Sequence, residues 1–343
     1  MLGVYLPGDS TVDLRQIEDP APGPGQVVIA VRASTICGSD IRAIYREHIQ
    51  GDPAESYQNV VAGHEPAGQV VSVGEGVSRL RAGDRVAVYH ISGCGQCDDC
   101  ISGYQISCTS PQRAAYGWQR NGGHAELMLA DERDCIVLPD GVTYQDGACV
   151  ACGFGTAYEG LLRAGVSGRD SLAVVGLGPV GLAAGLLGGK LGATPRIGFD
   201  PSAERREFAL RIGAVDEAVD PTDPASRVAA EWHVAVDCSG STAGRATALA
   251  TLRTRGRLVL IGEGHGFQVE EASPQLIHRQ LTVHGSWVTN LAHMRELVER
   301  LPVWGLHPEV VVSHAFALQD ADQAYRIADA GQSGKVAIVP NPA

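Results

Sequence analysis

Between residues 1 and 152, short apolar runs alternate with Gly, Pro, Asp and Asn. Val27–Val31, Gln69–Val73, Arg85–Tyr89, Glu126–Leu129 and Cys135–Leu138 each have the length and side-chain content of a strand bounded by turns. This part reads as mostly β. From Ser171 the rhythm changes to apolar strand, helix, apolar strand: Ser171–Val175, Arg196–Phe199, Val234–Asp237, Arg257–Ile261 and Leu281–His284, with helical patterns between most of them. Such alternation predicts a parallel sheet with right-handed crossovers, a doubly wound domain. Further on, Leu291, Met294, Leu297, Val298 and Leu301 fall on one helical face. A strand near Glu309–Ser313, a helix from Asp320 and a last strand Lys335–Val339 follow, and these are expected to rejoin the first domain. The expected class is α/β with two domains, 1–152 together with 288–343 and 153–287 between them. At roughly 100 to 200 residues per domain, 343 residues suffice for both. No internal repeat is visible.

Charge removes several function classes. Lys plus Arg number 27 against 39 Asp plus Glu, a net charge of −12, so the average field repels nucleic acid and anionic lipid. The first ten residues carry neither a basic nor an apolar targeting pattern, which gives a cytoplasmic expectation. Leu172–Gly189 is uncharged for about the length of a membrane span, but six glycines and Pro179 disfavour a lone lipid-exposed helix. Glycine, at 43 residues, is well above the usual ~7% without any short period. The excess therefore belongs to turns and close backbone approaches, as a cofactor site needs.

Nine cysteines without an export signal point to thiols or metal ligands rather than disulfides. Cys94, Cys97, Cys100 and Cys108 lie in a Gly-rich, non-periodic segment. Spacings of two residues turn successive sulfurs toward one point, and four thiolates about 2.3 Å from Zn²⁺ make a closed tetrahedral site with no place for substrate. That metal would be structural. An iron–sulfur cluster and four unligated thiols are the competing readings.

Gly176-Leu177-Gly178-Pro179-Val180-Gly181 stands between an apolar strand and a small-residue helix, the context that turns a weak glycine pattern into a dinucleotide fingerprint. Its glycines permit a tight turn and close approach to pyrophosphate, and the helix N-terminus offers free N–H groups. Asp200 ends the next strand, 24 residues after Gly176, where a carboxylate accepts from the adenosine ribose and repels a 2′-phosphate. NAD is expected on that ground. Arg205 and Arg206 keep NADP open, as does the plainer role of Asp200 in starting a turn.

Cys37, His64 and Cys152 are each weak signals alone. Together the motifs carry a resemblance. Cys37-Gly38-Ser39-Asp40, Gly63-His64-Glu65, the four-cysteine run, Gly122-Gly123-His124-Ala125-Glu126, Cys152-Gly153-Phe154-Gly155-Thr156, the glycine fingerprint and Gly334-Lys335 stand in the order found in zinc-dependent medium-chain alcohol and polyol dehydrogenases. From about residue 20 to the end the chain resembles that family. The resemblance implies a mostly β GroES-like catalytic domain with a structural zinc lobe, beside a Rossmann cofactor domain. It implies a catalytic zinc held by Cys37, His64 and Cys152, with Glu65 beside it as an exchangeable ligand and Asp40 orienting His64. Three protein ligands leave a fourth place for an alcohol, whose proton the ion makes easier to lose.

By the same resemblance Ser39 passes that proton on, although it can also be read as a turn serine. Arg42 stands where the family relay often ends on a histidine, with His48 the nearest substitute. Thr156 would lie at the nicotinamide end, and His90, Tyr116 and Trp118 are candidate substrate residues. A histidine at position 90, where apolar-alcohol enzymes carry an aromatic, suggests a hydroxyl-rich or amino substrate. His90 reads equally well as a hydrogen-bonded strand-end residue. The expected activity is reversible oxidation of a secondary alcohol, whether polyol, cyclitol, aminocyclitol or amino-alcohol, with NAD and two zinc ions. The expected partners are a small alcohol or ketone and further copies of the chain, as homodimer or homotetramer, with no nucleic acid or membrane. An NADP-linked reductase of the same superfamily and a non-catalytic zinc- and nucleotide-binding protein are the alternatives.

Overall fold

Residues 1–49, 56–226, 229–331 and 334–341 are described by a computed structural model. The chain divides into two units, Met1–Cys152 with Asn290–Ala343, and Gly153–Thr289.

The first unit is built on a seven-stranded sheet. Its order is Val312–Phe316, Lys335–Ile338, Gln26–Ile36, Glu65–Val73, Arg85–Val88 and Cys135–Val137, with Leu127–Asp131 also pairing on Gln26–Ile36. Gln26–Ile36 is the longest strand and the hub, pairing antiparallel with three neighbours. Alternation along it turns Val27, Ile29 and Val31 into a core with Val70, Val86, Val88 and Met128. A second core gathers Ile41, Ile44 and Tyr45 against Ala321, Ala324 and Tyr325 of the C-terminal helix Ala321–Ala330. The predicted strand at Glu309–Ser313 begins later. Pro308–Val311 is a 3₁₀ turn and pairing starts at Val312, because Pro308 opens the turn and Asp146 takes the Glu309 N–H.

The second unit is a parallel six-stranded sheet in the order Glu217–Val219, Arg196–Phe199, Leu172–Val175, Trp232–Asp237, Leu252–Leu260, Thr282–Gly285. Strand order reverses at Leu172–Val175, the switch point at which doubly wound sheets bind ligands beyond the strand ends. Leu172–Val175 is fully buried, which explains its uninterrupted apolar run. The uncharged stretch after it is the helix Pro179–Lys190, packed on this sheet. Among the described residues no helix is long and apolar enough to cross a membrane.

Candidate active site

Sheet register assembles the first cluster. Thr35 pairs with Glu65 and Ile36 with Val336, so the residues just past these pairs, Cys37, His64 and Lys335, converge at one end of three adjacent strands. Cys152 arrives from a different direction, on the π-helical segment Val150–Phe154 that continues the helix Tyr144–Cys149. Ligand atoms of Cys37, His64, Glu65 and Cys152 all lie within 4.8 Å of one another.

Local chemistry prepares each group. Asp40 is completely buried: one carboxylate oxygen accepts the Cys37 N–H at 2.9 Å and the other accepts His64 Nδ1–H at 2.7 Å. Nδ1 is thereby fixed as the nitrogen that donates to Asp40, so Nε2 is the one on which a metal would replace the proton. Burial alone would lower the His64 pKa, but the charge and hydrogen bond of Asp40, with Cys37, carry it well above the ordinary value. The Cys37 thiol is drawn well below its usual range by the hydrogen bond with Cys152, and after that by Lys335 and His64, against the effect of burial. Gly63 has φ +89°, and a Cβ there would fall 2.3 Å from the ring of buried His124, so only glycine lets His64 enter the cluster.

Glu65 is anchored on three sides. Lys335 Nζ reaches its two carboxylate oxygens at 2.7 and 2.6 Å, and Thr35 Oγ1 donates to it as well. Burial pushes the Glu65 carboxyl up to about 7 while the Lys335 ammonium pulls the other way. Lys335 and Thr35 were not assigned roles from sequence. The only signal was Gly334-Lys335 as part of the family pattern, because nothing local links position 335 to position 65.

His90 lies beside His64, with ring centroids 5.1 Å apart, and its Nδ1–H donates to the Ala151 carbonyl at 3.0 Å. Burial, reinforced by His64, pushes its pKa down to about 3, so the ring is neutral with Nε2 as its acceptor. Tyr116 does not join this group. It is fully buried in the sheet core, its hydroxyl donating to Asp134 and accepting from the Asp131 N–H, so its place as a substrate residue is corrected to a core one. Trp118 is half-buried against the core around Tyr45 and Tyr325. Ser39 is half-buried in the turn Gly38–Asp40, Arg42 is exposed, and His48 Nε2 faces the Leu6 carbonyl at 2.8 Å.

The four-cysteine lobe closes on itself. Its sulfurs all lie within 4.8 Å of one another, with Cys94 and Cys100 at 3.9 Å. A tetrahedron with bonds of about 2.3 Å has edges of roughly 3.8 Å, so this spacing and the 4.0 Å between Cys37 and Cys152 suit sulfurs that share an ion. Both are far beyond a disulfide's ~2.05 Å. N–H groups of Gln96 and Cys97 point at the Cys94 sulfur and bring its pKa down to about 6, favouring the thiolate a metal requires.

In the second unit Gly178 N-caps the helix Pro179–Lys190 without any side-chain cap, and a Cβ on Gly178 would meet nothing within 4 Å. A Cβ on Gly181 would come 1.8 Å from the Gly176 carbonyl oxygen. Open space before an uncapped helix N-terminus fits a pyrophosphate. Val180 lies in the first turn of that helix, and Thr156 in the helix Gly155–Arg163. Asp200 accepts the Leu177 N–H at 2.8 Å and the Ser202 N–H at 2.9 Å, which ties the fingerprint loop to the next strand end. Arg205 lies 3.5 Å from its carboxylate. Arg206 is turned back onto the Asp200 and Pro201 carbonyls and Asp220.

Comparisons with known proteins agree with this anatomy. Residues 23–140 match the family model described as alcohol dehydrogenase GroES-like domain, and residues 179–302 match zinc-binding dehydrogenase. The uncharacterized zinc-type alcohol dehydrogenase-like protein YphC of Escherichia coli K12 is 47% identical over 98% of both chains. Sorbitol dehydrogenase of Halalkalibacterium halodurans is 28% identical over 94% of both. The structure of alcohol dehydrogenase TADH from Thermus sp. ATN1 superposes with a TM-score of 0.88 at 27% identity, covering 99% of each chain. The chain belongs to the medium-chain zinc-dependent alcohol dehydrogenase family.

Proposed function

We propose that the protein oxidises a secondary alcohol bearing further hydroxyl or amino groups to the ketone, reversibly and with NAD, at a zinc ion held by Cys37, His64 and Cys152. The observation that carries this reading is the convergence of two sulfurs and one correctly oriented imidazole on a single point, with a buried cation holding the nearest carboxylate. When bound, zinc polarises the alcohol oxygen and NAD accepts the hydride. Asp40 keeps His64 in its ligating tautomer. Lys335 and Thr35 hold Glu65, so that the fourth place stays available to the alcohol. Ser39, two residues from Cys37, relays the hydroxyl proton, accepting it as its own hydroxyl proton leaves toward solvent. A second zinc in the lobe of Cys94, Cys97, Cys100 and Cys108 braces the segment around it.

The substrate class rests on His90. A neutral Nε2 acceptor beside His64 pairs with a second hydroxyl or an ammonium and gains nothing from an alkyl chain. The similarity to a sorbitol dehydrogenase points the same way. On the nucleotide side, Gly176, Gly178, Pro179, Val180 and Gly181 cradle the pyrophosphate, Asp200 meets the ribose and Thr156 the nicotinamide. Of the two arginines that follow Asp200 in the next helix, Arg206 is occupied with backbone carbonyls and Asp220, and Arg205 is paired with Asp200. NAD is favoured on that account. Self-association fits the edge strand Thr282–Gly285, whose Val283 is exposed together with Trp287 nearby.

The test is a panel of polyols, cyclitols, amino-alcohols and simple secondary alkanols, run with each dinucleotide and followed by reduced-cofactor absorbance. NAD is expected to exceed NADP in kcat/KM by at least about tenfold, the carboxylate's repulsion of a 2′-phosphate being worth more than ~1.4 kcal/mol. Equal or better turnover of simple alkanols would defeat the substrate reading, and tenfold better use of NADP the cofactor reading. A smaller change tests the hydrogen bond that orients His64. Asp40→Asn should weaken zinc binding at the Cys37–His64–Cys152 centre by about 10- to 100-fold in competition with a chromophoric chelator, since the amide cannot draw Nδ1–H as a carboxylate does.

A further inference from the structure

The helix Tyr144–Cys149 delivers Cys152, and its far end is held from outside. Thr143 caps it by accepting the Asp146 N–H, and Asp146 returns a carboxylate oxygen to the Thr143 N–H at 3.0 Å, a complete capping box. The same carboxylate is used twice more. Its Oδ1 accepts the Glu309 N–H and its Oδ2 accepts His307 Nδ1–H, each at 2.9 Å. Glu309 Oε2 in turn accepts the Thr143 hydroxyl at 2.6 Å. Both outside partners come from the C-terminal return of the chain, more than 160 residues further on. Asp146 is fully buried, whereas the His307 ring is 55% exposed.

We propose that His307 and Glu309 form a latch on this helix, and that His307 is a positioning residue for the metal centre, acting through Asp146 on the segment that carries Cys152. The proposal rests on the reading of Cys152 as a zinc ligand. The helix Tyr144–Cys149 runs without a break into the π-helical segment Val150–Phe154, so its position along the axis is passed on to Cys152. Sideways it is fixed by packing: Gly147 leaves a Cβ only 3.0 to 3.1 Å from Leu138 and Ala67. At its N-terminal end the latch is joined by Arg85, whose guanidinium lies over the Tyr144 ring and donates to the Val142 carbonyl. A metal ligand must be held to about 0.5 Å, so slack at the N-terminal end of this helical run reaches the Cys152 sulfur.

The latch is also sensitive to protons. The groups facing His307 are Asp146 of the helix and Glu309 of its own turn, while Arg32 and Tyr144 line the same cavity of about 780 Å³. The hydrogen bond to Asp146, then its charge, raises the His307 pKa above the ordinary value. A folded-state pKa raised in this way means that the charge-assisted part of the latch is complete below the unfolded value of about 6.5. It is lost as pH rises through the folded value. A neutral imidazole still donates through Nδ1, so the latch loosens without opening.

The experiment uses full-length holoenzyme exchanged with Co²⁺. It reads the visible cobalt–thiolate bands, the rate at which excess chelator removes the ion between about pH 6 and 9, and the thermal midpoint, for parent, His307→Ala, His307→Gln and Cys152→Ser. Bands shifted by Cys152→Ser belong to this centre. His307→Ala is expected to shift the same bands and to release cobalt about 5- to 10-fold faster than parent near pH 6.5, with the ratio shrinking to about 2-fold near pH 9. His307→Gln, which keeps a donor, should recover most of the loss at pH 9. A ratio that stays flat with pH and tracks only a lower thermal midpoint, or release equal to parent at every pH, would overturn the latch. Unchanged bands in Cys152→Ser would instead remove the ligand reading, and the latch with it.

Discussion

His64→Ala is expected to lower kcat/KM by about three to four orders of magnitude and to leave one zinc per chain instead of two. Loss of Lewis-acid stabilisation is worth several kcal/mol, and each ~1.4 kcal/mol is a factor of ten. Alanine deletes the Nε2 that the proposed mechanism places on the metal beside Cys37 and Cys152. It also strips Asp40, buried and among the described residues otherwise engaged by the Cys37 N–H, of its main partner. Two sulfurs and a lysine-bound carboxylate do not hold a catalytic ion in place. The lobe, built from a separate four-sulfur set, should keep its metal. Steady-state kinetics with metal analysis of the purified variant gives the answer, and unimpaired turnover would end the proposed mechanism.

Lys335→Met should destabilise the protein by about 3–5 kcal/mol, since removing one member of a buried ion pair strands the other charge. Glu65 has no solvent exposure and Lys335 only 3%. Methionine fills much of the lysine stem's volume but leaves the two carboxylate oxygens, among the described residues, with the Thr35 hydroxyl. Glu65 must then take a proton or turn to the nearby metal. Either outcome lowers activity, the second by filling the alcohol's place. Adding Glu65→Gln to Lys335→Met should recover a large part of the lost stability, because the stranded charge disappears. Denaturant unfolding of both single variants and the double variant measures this, and additive losses would show that the pair is not coupled.

Elements with their own local signal were legible in the sequence. The glycine fingerprint, the parallel strands and the cysteine lobe all lie where the pattern put them, because each depends on residues a few positions apart. The errors have a common cause. Tyr116 sits close in sequence to the lobe, yet its hydroxyl is committed to Asp131 and Asp134 in the core, and no local pattern separates a buried tyrosine from a pocket one. The strand near Glu309 starts late because Asp146, distant in sequence, captures the Glu309 N–H.

What the sequence alone determined is the set of parts: a β-rich region, a doubly wound region, a four-sulfur lobe and a glycine turn between strand and helix. Each is written in backbone preference and side-chain period over short stretches. Only the tertiary structure decided how distant parts meet. Cys37 and Cys152 lie 115 residues apart and Glu65 and Lys335 lie 270 apart, and each pair is brought into contact. For Glu65 and Lys335 the cause is strand register, which sets Thr35 opposite Glu65 and Ile36 opposite Val336. A one-residue slip in either pairing would turn these side chains to the other face of the sheet. Register is chosen by the whole buried face at once, which is why no single motif in the chain reveals it.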